Sequence, residues 1–212
     1  MDKRKGIFIT LEGCEGVGKS TQLKLLKEYL ASTGQEAVFT REPGGSVISE
    51  QIRAVLLSPE NSAMNPVTEA LLYAAARAQN VREVIQPAIN AGKLVICDRF
   101  LDSSLAYQGY ARKLGFERIY DINRYALDGL MPDYTVFIDL SPAAAFRSKA
   151  KSESLNDRIE HESAEFHEAV YRGYGKLADT SPDRFIRIIP QSEKTKTAES
   201  IVEALKSRGV IK

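Results

Sequence analysis

Residues 13–20 read Gly13, Cys14, Glu15, Gly16, Val17, Gly18, Lys19 and Ser20, with glycine at the first and sixth places and a lysine–serine pair at the end. That spacing suits the holding of a chain of phosphates. The glycines let successive backbone N–H groups turn inward and form a concave anion site. Lys19 supplies a compact point charge for β- and γ-phosphates, and the Ser20 hydroxyl is the expected ligand of a magnesium ion. With Thr21, these residues form a candidate site for a nucleoside triphosphate, ATP, and Mg2+.

Four further clusters carry groups of a matching kind. Arg41 closes an extended run in Thr40-Arg41-Glu42-Pro43-Gly44-Gly45, at the sheet end where open α/β folds bind ligands. Asp98 and Arg99 close the apolar run that starts at Lys93. An acid in that place suits magnesium or its water shell, and the arginine suits a second phosphate. Tyr107, Gln108, Gly109 and Tyr110 follow Asp102, Ser103 and Ser104. A ring to stack on beside an amide and hydroxyls suits recognition of a nucleobase. Tyr73 and Arg77 stand four apart and so share a helix face, an aromatic beside a donor for a carbonyl.

These groups need a frame that brings them together. Five apolar runs read as strands: Gly6–Glu12, Glu36–Thr40, Lys93–Asp98, Tyr134–Leu140 and Arg184–Ile189. Helical patterns separate them. Leu23, Leu26 and Leu30 recur at helical spacing before Gly34. The stretch 68–91 is long and Ala-rich, with a kink or break expected at Pro87. Residues 118–127 place Ile119, Ile122 and Ala126 on one face before Gly129, and residues 195–208 place Ala198, Ile201, Val202 and Leu205 on one face before Gly209. Strands alternating with helices imply a parallel sheet covered on both faces.

The bulk properties agree with such a frame. The chain has 212 residues and a formal net charge of +1. That length suits a single domain spanning 1–212, and the charge balance points to neither nucleic acid nor a membrane surface as partner. Cys14 and Cys97 read as free thiols of a reducing, cytoplasmic compartment. One stretch departs from the pattern. Residues 146–165, FRSKAKSESLNDRIEHESAE, are highly charged with few large apolar side chains. They read as outside the core, either as a solvated helix and loop or as a mobile lid that closes over phosphates.

Taken together the chain resembles the bacterial thymidylate kinases along nearly its whole length. The resemblance runs through LEGCEGVGKST, FTREPGG, EALLYAAAR, VICDRFLDSSLAYQGYA, GLMPDYTVFIDLSP and NDRIE. It implies a three-layer P-loop NTPase fold with a five-stranded parallel sheet, helices on both faces and a lid. It also implies transfer of the ATP γ-phosphoryl to dTMP with Mg2+, a step toward dTTP, by a homodimer. By this resemblance Lys19, Arg99, Arg158, Glu15 and Asp98 form the catalytic set. The dTMP site would comprise Glu15, Arg41, Arg53, Tyr73, Arg77, Arg99, Ser104, Tyr107 and Gln108, and the metal ligands Ser20 and Asp98, directly or through water. Tyr73 would stack on thymine. Arg77, Ser104 and Gln108 would read its edge, and Tyr107 would crowd the sugar 2′ position.

Two positions depart from the family pattern. Gly16 stands where some members carry an arginine after the loop acid, so the resemblance implies that a lid cation serves instead. Arg158 matches best, with Arg147, Lys149 and Lys151 as the other basic side chains of that segment. Tyr73 stands where Phe is usual. The acceptor oxygen would belong to a phosphate monoester, already a competent nucleophile, so no general base is expected. A kinase of another pyrimidine nucleotide, such as dUMP or CMP, is the nearest alternative. A GTPase-type switch would need an N-K-x-D motif, and the chain has none.

Overall fold

The structure is a computed structural model describing residues 6–149 and 157–212, with side chains for all of these except 146–149. Five strands form one parallel sheet in the order β2-β3-β1-β4-β5. They are β1 (Ile7–Glu12), β2 (Ala37–Arg41), β3 (Leu94–Asp98), β4 (Tyr134–Ile138) and β5 (Phe185–Ile188). Each expected strand is present, shifted by two residues at most. Registers Leu11↔Asp98 and Arg41↔Asp98 bring the C-terminal ends of β1, β2 and β3 level.

The helices between them follow from the apolar spacing. Helix α1 (Lys19–Ser32) buries Leu26 and Leu30. Helix α2 (Val47–Leu57) is capped by the Ser46 side chain, and α3 (Pro66–Asn80) by Asn65, with Pro66 in its first turn. The long stretch stays helical through Pro87, and the expected irregularity is a change of hydrogen-bond pattern just before it. A π-turn, Val81–Ile85, precedes the short α4 (Gln86–Asn90), because Pro87 lacks an N–H and its ring crowds the preceding turn. After β3 come α5 (Leu101–Ser104) and a second π segment, Leu105–Ala111. The remaining helices are α6 (Phe116–Leu127), α7 (Pro142–Lys149), α8 (Ala164–Thr180) and α9 (Lys194–Ser207).

The sheet core is aromatic on both sides. Phe8 meets Phe100 edge-on at 4.9 Å, and Phe137 stacks on Tyr174 at 5.2 Å. Tyr174 joins α8 to the sheet, and its hydroxyl donates to Glu12 at 2.7 Å. Both cysteines are free and buried. Among the described residues, no helix is long and apolar enough to cross a membrane.

The charged stretch 146–165 requires a correction. Arg158 and Ile159 are buried, and Ile159 joins the core. The Arg158 N–H donates to the Leu57 carbonyl and its Nε to the Leu56 carbonyl, each at 2.9 Å, so the end of α2 receives this segment. A long charged side chain can be buried when an opposite charge pairs with it, here Glu69 at 2.7 Å, which a count of charges along the chain does not register. Residues 150–156, including Lys151, lie outside the described residues, as do the side chains of Arg147 and Lys149.

Candidate active site

The C-terminal ends of β1, β2 and β3 open on a cavity of about 860 Å³. Its wall contains the loop residues Glu15, Gly16, Val17, Gly18, Lys19, Ser20 and Thr21. Arg41, Arg53, Tyr73, Arg77, Asp98, Arg99, Ser104, Tyr107 and Gln108 complete the same wall. The expected residues thus converge from six separate stretches of chain. Gly13 and Cys14 lie buried beneath the loop, and Arg158 lies off this wall.

Backbone conformation builds the phosphate end. Gly16 (φ 74°) and Gly18 (φ 94°) are left-handed, which suits glycine, and Gly18 leads into α1. Lys19 Nζ donates to the carbonyls of Gly13 at 3.0 Å and Cys14 at 2.7 Å, bracing its own loop. Burial, and then the like charge of Arg99, lower its pKa. Ser20 is exposed in the first turn of α1. On the same cavity wall, Asp98 Oδ1 is buried with no hydrogen-bond partner among the described residues. An unpartnered carboxylate oxygen and an exposed hydroxyl lining one cavity fit magnesium. Among the described residues no cluster of three or more His, Cys, Asp or Glu could hold a metal. Few protein ligands are what magnesium requires when phosphates and waters complete its shell.

Arg99 occupies the centre. Its φ of 66° is left-handed, a conformation that costs a non-glycine residue on the order of 1 kcal/mol or more. Two hydrogen bonds hold it there: Arg99 N–H donates to the Leu11 carbonyl at 3.0 Å, and Phe100 N–H donates to Glu12 Oε1 at 2.8 Å. The guanidinium is then directed at Glu15 (2.6 Å), Gly13 O (3.0 Å), Ser103 (3.2 Å) and Tyr174 (3.2 Å), over the Tyr107 ring. Glu15 also accepts from the Tyr107 hydroxyl at 3.0 Å. Burial alone would raise the Glu15 pKa, but Arg99 and Lys19 outweigh it and bring it to about 2. Behind this pair Glu12 is fully buried. Burial first, and the charge of Asp102 second, push its pKa up to about 7.

The two outer arginines differ. Arg41 is largely exposed and pairs with Glu50 at 2.9 Å. Arg53 donates to the Pro43 carbonyl at 2.8 Å, and burial together with Arg41 lowers its pKa. The loop between β2 and α2 packs closely on β2 and α3 because Gly45 has no side chain: a Cβ there would lie 2.2 Å from Thr40 Oγ1 and 2.5 Å from Asn80 Oδ1.

At the other end Arg77 is 1% exposed. Its guanidinium donates to Glu42 at 2.8 Å, the Phe100 carbonyl at 3.0 Å, Ser104 at 3.1 Å and Asn123. Gln108 Nε2 donates to Glu69 at 2.9 Å. Tyr73 is half-buried in the wall, one turn of α3 before Arg77. Sequence spacing assigns no role to most of the groups holding these residues: Glu42, Glu69, Asn80 and Asn123 here, and Glu12 and Tyr174 at the centre. It places Ser103 among hydroxyls suited to a nucleobase, whereas Ser103 binds Arg99 and Glu12. One signal was available. Glu69, Tyr73 and Arg77 stand at i, i+4 and i+8 on a single helix face.

The comparisons with known proteins bear on this arrangement. A family profile described as thymidylate kinase matches residues 11–202. The thymidylate kinase of Limosilactobacillus fermentum is 45% identical over 206 residues, covering 96% of each chain. The chain belongs to the thymidylate kinase family. The thymidylate kinase of Clostridium novyi is 47% identical over 203 residues, covering 95% of this chain and 99% of that protein. A crystal structure of thymidylate kinase from Ehrlichia chaffeensis matches with a TM-score of 0.76 at 30% identity, covering 95% of this chain and 98% of that one. The thymidylate kinase match therefore spans the phosphate loop, both arginine loops and the Tyr73–Gln108 wall together.

Proposed function

We propose that the protein transfers the γ-phosphoryl group of ATP to dTMP, giving ADP and dTDP, with magnesium bound at Ser20 and Asp98. The observation that supports this most is the convergence on one cavity of a phosphate-binding loop and an aromatic–arginine–amide wall, Tyr73, Arg77 and Gln108, in a chain of this family. Bound magnesium would offset charge shared by the β- and γ-phosphate oxygens. The chain's own residues align the reactants. Lys19 leaves its loop carbonyls for the donor phosphates, and Arg99, with Arg41 and Arg53, holds the acceptor phosphate in line. Glu15, kept ionised and fixed by Arg99 and Tyr107, stands beside the acceptor sugar, where Tyr107 fills the space of a 2′-hydroxyl. The attacking phosphate oxygen needs no base. Closure of the lid that the resemblance implies at about 146–165 would exclude water, the competing acceptor.

The two buried free cysteines fit a reducing, cytoplasmic compartment. A homodimer is part of the proposal. Val47, Ile48 and Val55 of α2 and Val67 and Leu71 of α3 are exposed apolar side chains on two helices that pack together, and such clusters mark protein interfaces.

The test is ADP release measured with ATP, Mg2+ and a panel of dTMP, dUMP, dCMP and CMP. dTMP as the preferred acceptor supports the reading. Preference for a cytidylate, or nucleotide hydrolysis without an acceptor, overturns it.

A further inference from the structure

Glu69 has no solvent exposure, yet it lies one residue behind the cavity wall. Its Oε1 accepts from Gln108 Nε2 at 2.9 Å and from Arg112 Nε at 3.2 Å. Its Oε2 accepts from Arg112 Nη2 at 3.1 Å and pairs with Arg158 Nη2 at 2.7 Å. Burial would raise the pKa of this carboxyl, but the Arg112 hydrogen bonds and charge, with Gln108 and Arg158, hold it below the usual value. An ionised carboxylate only accepts hydrogen bonds. The Gln108 amide must therefore present its nitrogen to Glu69. Its Oε1, which has no partner among the described residues and is not sealed in the interior, is left for the cavity that Gln108 lines.

We infer that Glu69 is a specificity-determining positioning residue: by occupying the Gln108 amide nitrogen, it makes the base-facing end of Gln108 an acceptor. The inference rests on the reading that dTMP occupies this cavity. Thymine and uracil offer N3–H as donor and O4 as acceptor, matching an amide oxygen beside the Arg77 guanidinium. Cytosine offers a bare N3 and an amino group, which places acceptor against acceptor and donor against donor. Discrimination then comes from buried polar groups left unpaired by the wrong base, the kind that reaches large ratios.

The experiment compares kcat and KM for dTMP and dCMP in wild type, E69Q, E69D and R112K, with thermal melts to confirm folding. A glutamine at 69 can present either end of its amide, so Gln108 is free to invert. E69Q should lower the dTMP/dCMP ratio of kcat/KM by about tenfold or more, mainly through a raised KM for dTMP. E69D keeps the charge for both arginines but retracts it from Gln108, so the ratio should fall in the same direction, and it serves where E69Q does not fold. R112K leaves the Gln108–Glu69 bond in place and should keep the ratio within about twofold. An unchanged ratio in a folded Glu69 variant overturns the inference. So does an R112K shift as large as that of E69Q, which would mark Glu69 as a structural ion pair. A wild type that prefers dCMP would overturn the dTMP reading itself.

Discussion

At the base end of the cavity, Arg77 gives its donors to two side chains on other elements, a backbone carbonyl and the buried Glu42. At the phosphate end, among the described residues, Lys19 donates only to carbonyls of its own loop, Ser20 is exposed and Asp98 Oδ1 is unpartnered. One end is tied into the interior before any ligand arrives, and the other is built of groups that a ligand must recruit. The difference matches the tasks proposed for the two ends. Reading a base edge needs fixed donors and acceptors, because a side chain free to rotate would accommodate either pattern. Neutralising phosphoryl charge needs cations and metal ligands that still have donors or lone pairs open to the phosphates.

The contrast predicts opposite outcomes for cations at the two ends. The largest effect is expected from Lys19→Ala. Turnover should fall by about 10²–10³-fold or more, with little change in melting temperature, since Lys19 braces only its own loop. Turnover near that of wild type would show that the phosphate end does not depend on this charge.

Arg158→Ala sharpens the comparison next. A lid arginine acting on the phosphoryl group would cost turnover and little stability. The buried ion pair with Glu69 predicts instead a stability loss of about 1–3 kcal/mol, less than an orphaned buried charge would cost because Arg112 and Gln108 still hold Glu69. Chemical denaturation of the free protein, set beside kcat, decides between them. A stable, catalytically crippled variant would return Arg158 to the role that resemblance implies.

Arg77→Lys keeps the charge but loses the planar fork that reaches four partners. The KM for dTMP should rise by about 1–2 kcal/mol equivalent, with that for ATP unchanged. Equal movement of both constants would mean that the base end is not a separate unit.

The smallest effect concerns pH. Glu12 titrates ordinarily near 4.5 but near about 7 in the folded protein, because of burial and Asp102. A carboxyl with a raised folded pKa binds its proton more tightly in the folded chain, so stability falls as pH climbs from 4.5 toward 7. Glu12→Gln removes that proton, and the slope of melting temperature against pH over this window should flatten. An unaltered slope would place the proton on another group.

Much of this was legible in the chain. The strands are continuous apolar runs because a parallel sheet is buried on both faces, and the five runs lie within two residues of the observed strands. The loop Gly13–Ser20 declares itself because its chemistry depends on local spacing. Arg41, Asp98 and Arg99 were legible for the same reason, each standing at the end of a strand. The segment 157–162 was misread because its charges, counted along the chain, look solvated, while Glu69, nearly ninety residues earlier, supplies the partner that buries Arg158.

What the sequence by itself determined is therefore what local order encodes: the alternation of strand and helix, the glycine-rich loop, the irregular turn before Pro87 and the family. Tertiary structure alone decided which donors remain for a ligand. Glu12, Glu42 and Glu69 are ordinary acids in the sequence. Each becomes an organiser of the site because burial removes water as a competing partner, so its few protein hydrogen bonds fix the orientation of Arg99, Arg77 and Gln108.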